Sequence, residues 1–388
     1  MTSDARRWRL ILGGDAADSL PGAQLSADDE KVDGALEALY GGDGAPAERR
    51  GGLGGSRPNV ARWLGDIRTY FPSQVVQVLQ RDAIDRLGLR QLLLEPELLA
   101  EVEPDVHLVA DLIALAEVIP DRTRETARQV VGQVIEQLQR RLAQRLVSAV
   151  HGALDRSSRT RRPRLTDVDW DRTIRANLGT YDPERGTVVP EHLVGHGRRR
   201  RQAQLRDVII CVDQSGSMAT SVVHASILAA VLGSIRSLHT SLVVFDTEVA
   251  DLTEHLHDPV DLLFGVQLGG GTDIARAVAY CQRLVHRPAD TVLVLVTDLF
   301  EGGDADQLRA RIAGLVRSGV TVVCLLALSD SGAPSHDDEL AGQLAALGVP
   351  CFACTPEAFP DLMAAALEGR DVGAWAEAAG LPTTRPDG

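Results

Sequence analysis

The spacing of apolar side chains changes near residue 207. Before that point they recur every three or four positions, which is the period of amphipathic helices. Four prolines interrupt this pattern, so we predict several helices over residues 60–154. The clearest helix is predicted at 123–149, where the apolar stripe comprises Val131, Val134, Ile135, Leu138, Leu142 and Leu146.

Beyond residue 207, short apolar runs alternate with amphipathic stretches. The run LVVFDTEVADL has no helix within it and predicts a hairpin that turns at Asp246 and Thr247. Strand–helix alternation is typical of a parallel sheet covered on both faces. We therefore predict an α/β fold, a doubly wound and mostly parallel sheet, preceded by an all-α helical domain. Strands are predicted at 208–212, 241–245, 291–296, 320–328 and 349–353, and helices at 219–238, 273–286, 305–317, 337–347 and 356–368.

Composition shifts divide the chain further. Residues 1–59 are predicted to hold one helix, which Ser26 can cap, and then a glycine-rich linker. An arginine-rich junction containing DWDRTIRANL separates the helical domain from the α/β domain. The predicted segments are thus 1–59, a helical domain at 60–154, the junction at 155–206, the α/β domain at 207–368 and a tail at 369–388.

Composition also excludes several functions. The net charge of −14 disfavours nonspecific binding of nucleic acid by the whole chain. Lys31 is the only lysine, so the chain contains no phosphate-binding loop of the form GxxxxGK[ST]. We find neither a signal peptide nor an apolar run of the roughly 18 residues that a membrane span needs, and expect a cytoplasmic protein that does not contact a membrane. Cys351 and Cys354 form a CxxC without a second pair, which disfavours zinc.

Five polar side chains lie in three predicted loops, two of which directly follow a strand. Asp213, Ser215 and Ser217 come directly after the strand at 208–212, Thr272 lies in a glycine loop before a helix, and Asp298 follows the strand at 291–296. Ligands of open parallel sheets bind beyond the carboxyl ends of the strands. These side chains offer only oxygen, which suits Mg²⁺, with Mn²⁺ or Ca²⁺ as substitutes.

The shape of the first loop supports the same hypothesis. We expect Gly216 to let the turn fold back, so that Ser215 and Ser217 point the same way. Hydroxyl ligands do not neutralise a cation. We therefore expect the bound metal to attract a carboxylate from another molecule.

The five positions resemble a known motif. DQSGS, with the later Thr272 and Asp298, is similar to the D-x-S-x-S…T…D metal-ion-dependent adhesion site of von Willebrand factor A (VWA) domains. The resemblance covers Arg206 to about Leu367. It implies a doubly wound sheet with one antiparallel edge strand, direct metal contacts from the two serines and the threonine, and contacts through water from one or both aspartates. Leu299 departs from the pattern, because many members have glycine there.

A second resemblance concerns the whole chain. A helical N-terminal half, an arginine-rich junction with DWDRTIRANL and a C-terminal A domain reading DQSGSM are similar to the bacterial CoxE-like proteins. That family works beside AAA+ ATPases of the MoxR class, so the resemblance implies an adaptor or co-chaperone. We therefore predict a Mg²⁺-dependent protein-binding module and not an enzyme. Candidate partner contacts are Asp246, Arg198, Arg199, Arg200 and Arg201.

Other interpretations remain open from the sequence. Ser217 and Asp273 can simply cap helices, and Asp298 can be a turn residue. A second hypothesis is a hydrolase in which the metal activates water, although no general base has a recognisable position. A third alternative is RNA binding through the basic segments 156–164 and 198–201.

Overall fold

The computed structural model describes most of the chain from residue 67 onwards. It also describes isolated positions between 25 and 39, where the Ser26 hydroxyl accepts a hydrogen bond from the Asp29 amide, as the predicted helix cap requires. Arg198–Arg201 and the linker at 41–59 lie outside the described residues. The described ranges are 67–87, 93–157, 159–160, 168–196, 206–265, 270–329 and 335–384, without positions 101, 117, 184 and 185.

The chain divides into two compact units, with the boundary between Val134 and Ile135. The described part of the first unit is helical, as predicted. The longest described helix begins in this unit and ends in the second. The predicted limits of the helical domain, 60–154, stay a prediction. The apolar stripe of that helix is continuous, so it carries no local signal for the boundary. The helices are α1 (Ser73–Leu87), α2 (Pro96–Leu99), α3 (Val106–Ala114) and α4 (Asp121–Ser157).

The second unit begins within α4 at Ile135 and continues into the arginine-rich junction. Helix α5 (Trp170–Ala176) is capped by Asp169, whose side chain accepts a hydrogen bond from the Arg172 amide. The described part of the junction also contains two small antiparallel sheets. One pairs β1 (Arg159–Thr160) with β4 (Gly195–His196), and the other pairs β2 (Tyr181–Asp182) with β3 (Thr187–Val188).

The main sheet has six strands in the order β10-β9-β8-β5-β6-β7. All neighbours are parallel except β6 and β7, which form the predicted hairpin with Phe245 opposite Val249. The chain leaves β5 towards β6 on one side and returns to β8 on the other, so a crevice opens beyond the carboxyl ends of β5 and β8. The strands are β5 (Arg206–Asp213), β6 (Leu238–Phe245), β7 (Val249–Asp251), β8 (Thr291–Val296), β9 (Thr321–Leu328) and β10 (Cys351–Cys354).

Helices accompany the sheet where the sequence predicts them, and the predicted fold class is confirmed. The first of them ends at Gly233 and not at 238, because Leu238 already belongs to β6. The segment 369–388, predicted as a tail, contains a further helix, and Thr383 bridges to Phe352 on the edge strand. The helices are α6 (Ala219–Gly233), α7 (Pro259–Phe264), α8 (Ile274–Leu284), α9 (Ala305–Ser318), α10 (Asp338–Ala346), α11 (Phe359–Glu368) and α12 (Val372–Ala378).

One helical stretch corrects the expectation that no apolar run has the length of a membrane span. Within the described residues, Gly216–Gly233 is long and apolar enough by composition, with a mean hydropathy of 1.5. In the fold, 72% of this stretch is buried. Its central residues Ile227 and Leu228 are fully enclosed, so packing in the core accounts for its apolar composition.

The five cysteines are free thiols in the core. Cys351 on β10 lies in register with Cys324 on β9. Burial raises the pKa of the Cys354 thiol to about 12, which removes the reactive thiolate at neutral pH. We therefore expect Ellman's reagent to modify no cysteine in the native protein and all five in guanidinium chloride. Fast reaction of any thiol in the native state would contradict this packing.

Candidate metal site

Asp213 ends the central strand β5 and is completely buried. Each of its carboxylate oxygens accepts one hydrogen bond. The Ser215 amide donates to Oδ1 at 2.8 Å, and the Thr297 hydroxyl donates to Oδ2 at 2.8 Å. Asp213 is therefore held between its own loop and the loop that follows β8.

The two serines of the first loop face the same side, as predicted. Their Oγ atoms lie 3.2 Å apart, and the Ser217 hydroxyl donates to Asp298 Oδ2 at 2.6 Å. Ser217 thus does not cap α6 with its side chain. These bonds connect Asp213, Ser215, Ser217 and Asp298 in one cluster.

Gly216 is not the reason for this arrangement, which corrects the expectation from the sequence. It does not have a positive φ, and a Cβ atom built on it would meet nothing within 4 Å. The residues from Gly216 to Met218 form a 3₁₀ turn, which any residue type can adopt. The tight turn itself brings the two hydroxyls together.

Thr272 is bound through its backbone to the loop that follows Asp298. Its carbonyl oxygen accepts a hydrogen bond of 2.8 Å from the amide of Gly302, in the loop that follows Asp298. The next residue, Asp273, caps α8 by accepting from the Arg276 amide at 2.8 Å, so the capping role is confirmed for Asp273. The structure therefore brings Thr272 to the loop of Asp298.

Asp246 supports the same region from the hairpin. Its carbonyl oxygen accepts a hydrogen bond of 2.8 Å from the Asp273 amide. Its carboxylate accepts from the Glu248 amide at 2.6 Å and so stabilises the turn between β6 and β7. The role of Asp246 as a partner contact stays a prediction, as does that of the four arginines outside the described residues.

Two residues of the site were missed by sequence reasoning. Thr297 is fully buried, donates to Asp213 and accepts a hydrogen bond of 3.1 Å from the Leu299 amide. The sequence feature that could have identified Thr297 is a hydroxyl residue next to Asp298 at the end of a predicted strand. Glu301 accepts hydrogen bonds from the amides of Ile274 and Gly303, at 2.9 and 2.7 Å. No sequence pattern pointed to Glu301, because the Ile274 amide that it binds belongs to another part of the chain.

The charges of the site fit a divalent cation. Asp298 is only 3% exposed, and Asp213 is not exposed at all. Within the described ranges, no Arg, Lys or His forms an ion pair with either carboxylate. Burial raises the pKa of Asp213, although hydrogen bonds from Ser215 and Thr297 lower it. Buried carboxylates without a cation are costly, so the cluster fits a bound positive charge.

The donor set also indicates which cation. The five candidate residues offer two carboxylates and three hydroxyls, which are hard oxygen donors of the kind that Mg²⁺ prefers over softer ones. The described residues contain no group of three or more His, Cys, Asp or Glu side chains suited to a metal. The candidate site therefore depends on its hydroxyls as well as its two acids.

The loop after Asp298 has an unusual backbone. Leu299 has a φ of 65° and is the one described non-glycine residue in the left-handed region. Its side chain is completely buried, whereas the side chain of Phe300 is 49% exposed. The left-handed turn thus places Leu299 in the core and an aromatic ring at the surface, two residues after Asp298.

Comparisons with known proteins cover most of the chain. The family model described as "VWA domain containing CoxE-like protein" matches residues 138–363. "Uncharacterized protein YehP" of Escherichia coli (strain K12) is 37% identical over 358 residues, which cover 92% of this chain and 94% of that protein.

Solved structures show weaker similarity. The "von Willebrand factor type A from Catenulispora acidiphila" is 15% identical, covers 42% of this chain and 43% of its own, and has a TM-score of 0.33. The Deinococcus radiodurans RO (RSR) protein is 14% identical, covers 95% of this chain and 74% of its own, and has a TM-score of 0.30. The family match and the similarity to YehP decide the assignment: the chain belongs to the CoxE-like family of proteins that contain a VWA domain.

Proposed function

We propose that this protein is a Mg²⁺-dependent protein-binding module, and that it acts in the cytoplasm as an adaptor or co-chaperone for a MoxR-type AAA+ ATPase. One observation carries the proposal. Asp213 and Asp298 are two buried carboxylates that lack a cationic partner among the described residues, and Asp298 accepts a hydrogen bond from the exposed Ser217 hydroxyl. The free-energy cost of burying these two carboxylates is offset if the cluster binds a cation, which a partner can then reach.

The depth of each residue supports the proposed direction of binding. Asp213 lies at the bottom of the cluster, whereas Ser215 is half-buried and Ser217 is exposed. When bound, Mg²⁺ would be balanced in formal charge by Asp213 and Asp298, but its hydroxyl and water ligands are neutral, so an incoming carboxylate has a water ligand to replace. The serine side of the cluster is therefore where a carboxylate from a partner or client would approach. Phe300, two residues after Asp298, exposes an aromatic ring that a partner could also contact.

We further propose that the site binds without catalysing a reaction. A general base has to take up a proton, whereas a bound cation and hydrogen-bond donors favour the charged form of a carboxylate. Both oxygens of Asp213 already accept hydrogen bonds, and Asp298 accepts one from Ser217. The carboxylates are thus engaged in building the cluster.

The test is the affinity of the purified protein for the MoxR-type ATPase of the same organism, measured at constant Mg²⁺ with the wild type and Ser217→Ala. A chelator is unsuitable here, because it would also remove Mg²⁺ from the ATPase nucleotide. A hydrogen bond to a charged group is worth roughly 1.5–3 kcal/mol, and Ser217→Ala removes the one to Asp298. We therefore expect the variant to bind the ATPase roughly 10- to 100-fold more weakly.

Ser318→Ala is the matched control. Its hydroxyl donates to the Leu315 carbonyl at the end of α9, away from the carboxyl ends of the strands. This variant should bind the ATPase like the wild type. Equal affinity of Ser217→Ala and the wild type would overturn the role of the cluster in partner binding.

A further inference from the structure

The segment 301–303, which follows Asp298 and reads Glu-Gly-Gly, contacts the Thr272 loop at several points. The Gly302 amide donates to the Thr272 carbonyl at 2.8 Å. The Glu301 carboxylate accepts from the Ile274 amide at 2.9 Å, at the first residue of α8. The chain on both sides of Asp273 is therefore bound to this segment.

The Glu301 carboxylate connects two loops that are far apart in the sequence. One oxygen accepts from Ile274, and the other accepts from the Gly303 amide at 2.7 Å. The Glu301 amide in turn donates to the Leu299 carbonyl at 2.8 Å. The carboxylate thus ties the start of α8 to the turn that also carries Asp298.

Glycine is needed in this segment for close approach. A Cβ atom on Gly302 would lie 2.7 Å from the Thr272 carbonyl oxygen, a distance that real Cβ atoms essentially never show. A Cβ atom on Gly303 would lie 2.6 Å from Glu301 Oε1 and 3.0 Å from Asp273 Oδ1. Because the atom that Gly302 would meet belongs to the backbone, the Thr272 loop would have to move.

We propose that the segment 301–303 is a positioning clamp, in which Glu301 and Gly302 hold Thr272 at the correct place relative to Asp298 in the candidate metal site. The inference rests on the proposed function. Thr272 comes from a different loop than the other ligands, so its distance from them depends on contacts of this kind. Glu301 does not need to touch the metal; it acts through Thr272.

The experiment measures the Mg²⁺ dissociation constant by calorimetry and, separately, the melting temperature in EDTA. Changes in residues that orient metal ligands typically reduce metal affinity roughly 10- to 100-fold. We expect a loss of this size for Glu301→Ala. Glu301→Gln keeps one acceptor oxygen and should lose less affinity than Glu301→Ala. A purely structural role would lower the melting temperature without changing the dissociation constant of the folded protein.

Asp258→Ala is the matched control for Glu301→Ala. Asp258 also accepts two backbone N–H groups, from Val260 and Asp261, and caps α7. Its loss should lower the melting temperature in EDTA and leave the Mg²⁺ dissociation constant unchanged. An equal loss of Mg²⁺ affinity in both variants would overturn the clamp, because any weakened cap would then have the same effect.

A second pair of variants tests the clamp independently if Glu301→Ala does not fold. Gly302→Ala forces the Thr272 carbonyl away and should weaken Mg²⁺ binding, whereas Gly314→Ala meets only an ordinary contact at 3.9 Å and should not. Unchanged affinity in Gly302→Ala and Glu301→Gln would overturn the clamp alone. A wild-type protein that binds no Mg²⁺ would overturn the proposed function together with the clamp.

Discussion

The Asp213→Asn variant is expected to lose its stabilisation by Mg²⁺ completely. A ligand present at a hundred times its dissociation constant stabilises the folded state by about 2.7 kcal/mol, and the wild type should gain an amount of this order. Asparagine keeps the size of the side chain but removes one of the two charges that attract the cation. The measurement is the melting temperature with Mg²⁺ and with EDTA.

The same variant should be at least as stable as the wild type in EDTA. The Asp213 carboxylate is fully buried, and burial raises its pKa, so its charged form is unfavourable when no cation is present. A residue that lowers stability without its ligand is typical of a functional site. Low stability of Asp213→Asn in EDTA would instead indicate a structural carboxylate.

Asp207→Asn provides the control. Asp207 is a buried carboxylate at the other end of β5, and it forms an ion pair with Arg287 at 2.9 Å. Its replacement leaves that arginine without the charge, so the variant should be less stable than the wild type but should keep the full response to Mg²⁺. An intact Mg²⁺ response in Asp213→Asn would refute the metal site.

The second large effect is expected at Leu299, where the glycine variant should be more stable than the alanine variant. This is the reverse of the order expected at a buried position inside a strand. Leu299→Ala removes a fully buried side chain and should cost about 2–5 kcal/mol. Alanine also keeps the unfavourable φ of 65°. Leu299→Gly removes the same side chain but relieves about 1–2 kcal/mol of backbone strain. The glycine variant should therefore be the more stable of the two in denaturant unfolding.

Leu295 gives the matched pair. It is equally buried but lies within strand β8, where its backbone is extended. Glycine inside a strand is destabilising by roughly 0.5–1 kcal/mol relative to alanine. Leu295→Gly should thus be less stable than Leu295→Ala. The same order of stability at both positions would contradict the left-handed backbone at Leu299.

Much of the fold was predictable because its signals are local. A strand such as 291–296 is a continuous apolar run, and the structure has the same limits. The hairpin at Asp246 was predictable because its two strands are adjacent in the sequence. Asp273 could be predicted as a cap, since its partner Arg276 is three residues away. Each of these features depends on side chains within a few positions of each other.

The boundary between the two compact units, in contrast, has no local signal in the sequence. The stripe of α4 continues from Val131 to Leu146 with one period, so the pattern predicts a single helix and nothing more. Which core each turn of a helix packs against is decided by the rest of the fold. The boundary within α4 therefore required the tertiary structure.

The sequence by itself determined the α/β order, and it predicted five candidate ligands, four of them in loops that directly follow strands. Only the tertiary structure revealed that Thr297 donates to Asp213, and that Glu301 ties the start of α8 to the loop of Asp298. The physical reason is separation along the chain: these two hydrogen bonds span 84 and 27 residues. Periodicity reports which face of an element is buried, but a hydrogen bond between distant loops depends on how the strands are ordered in the sheet.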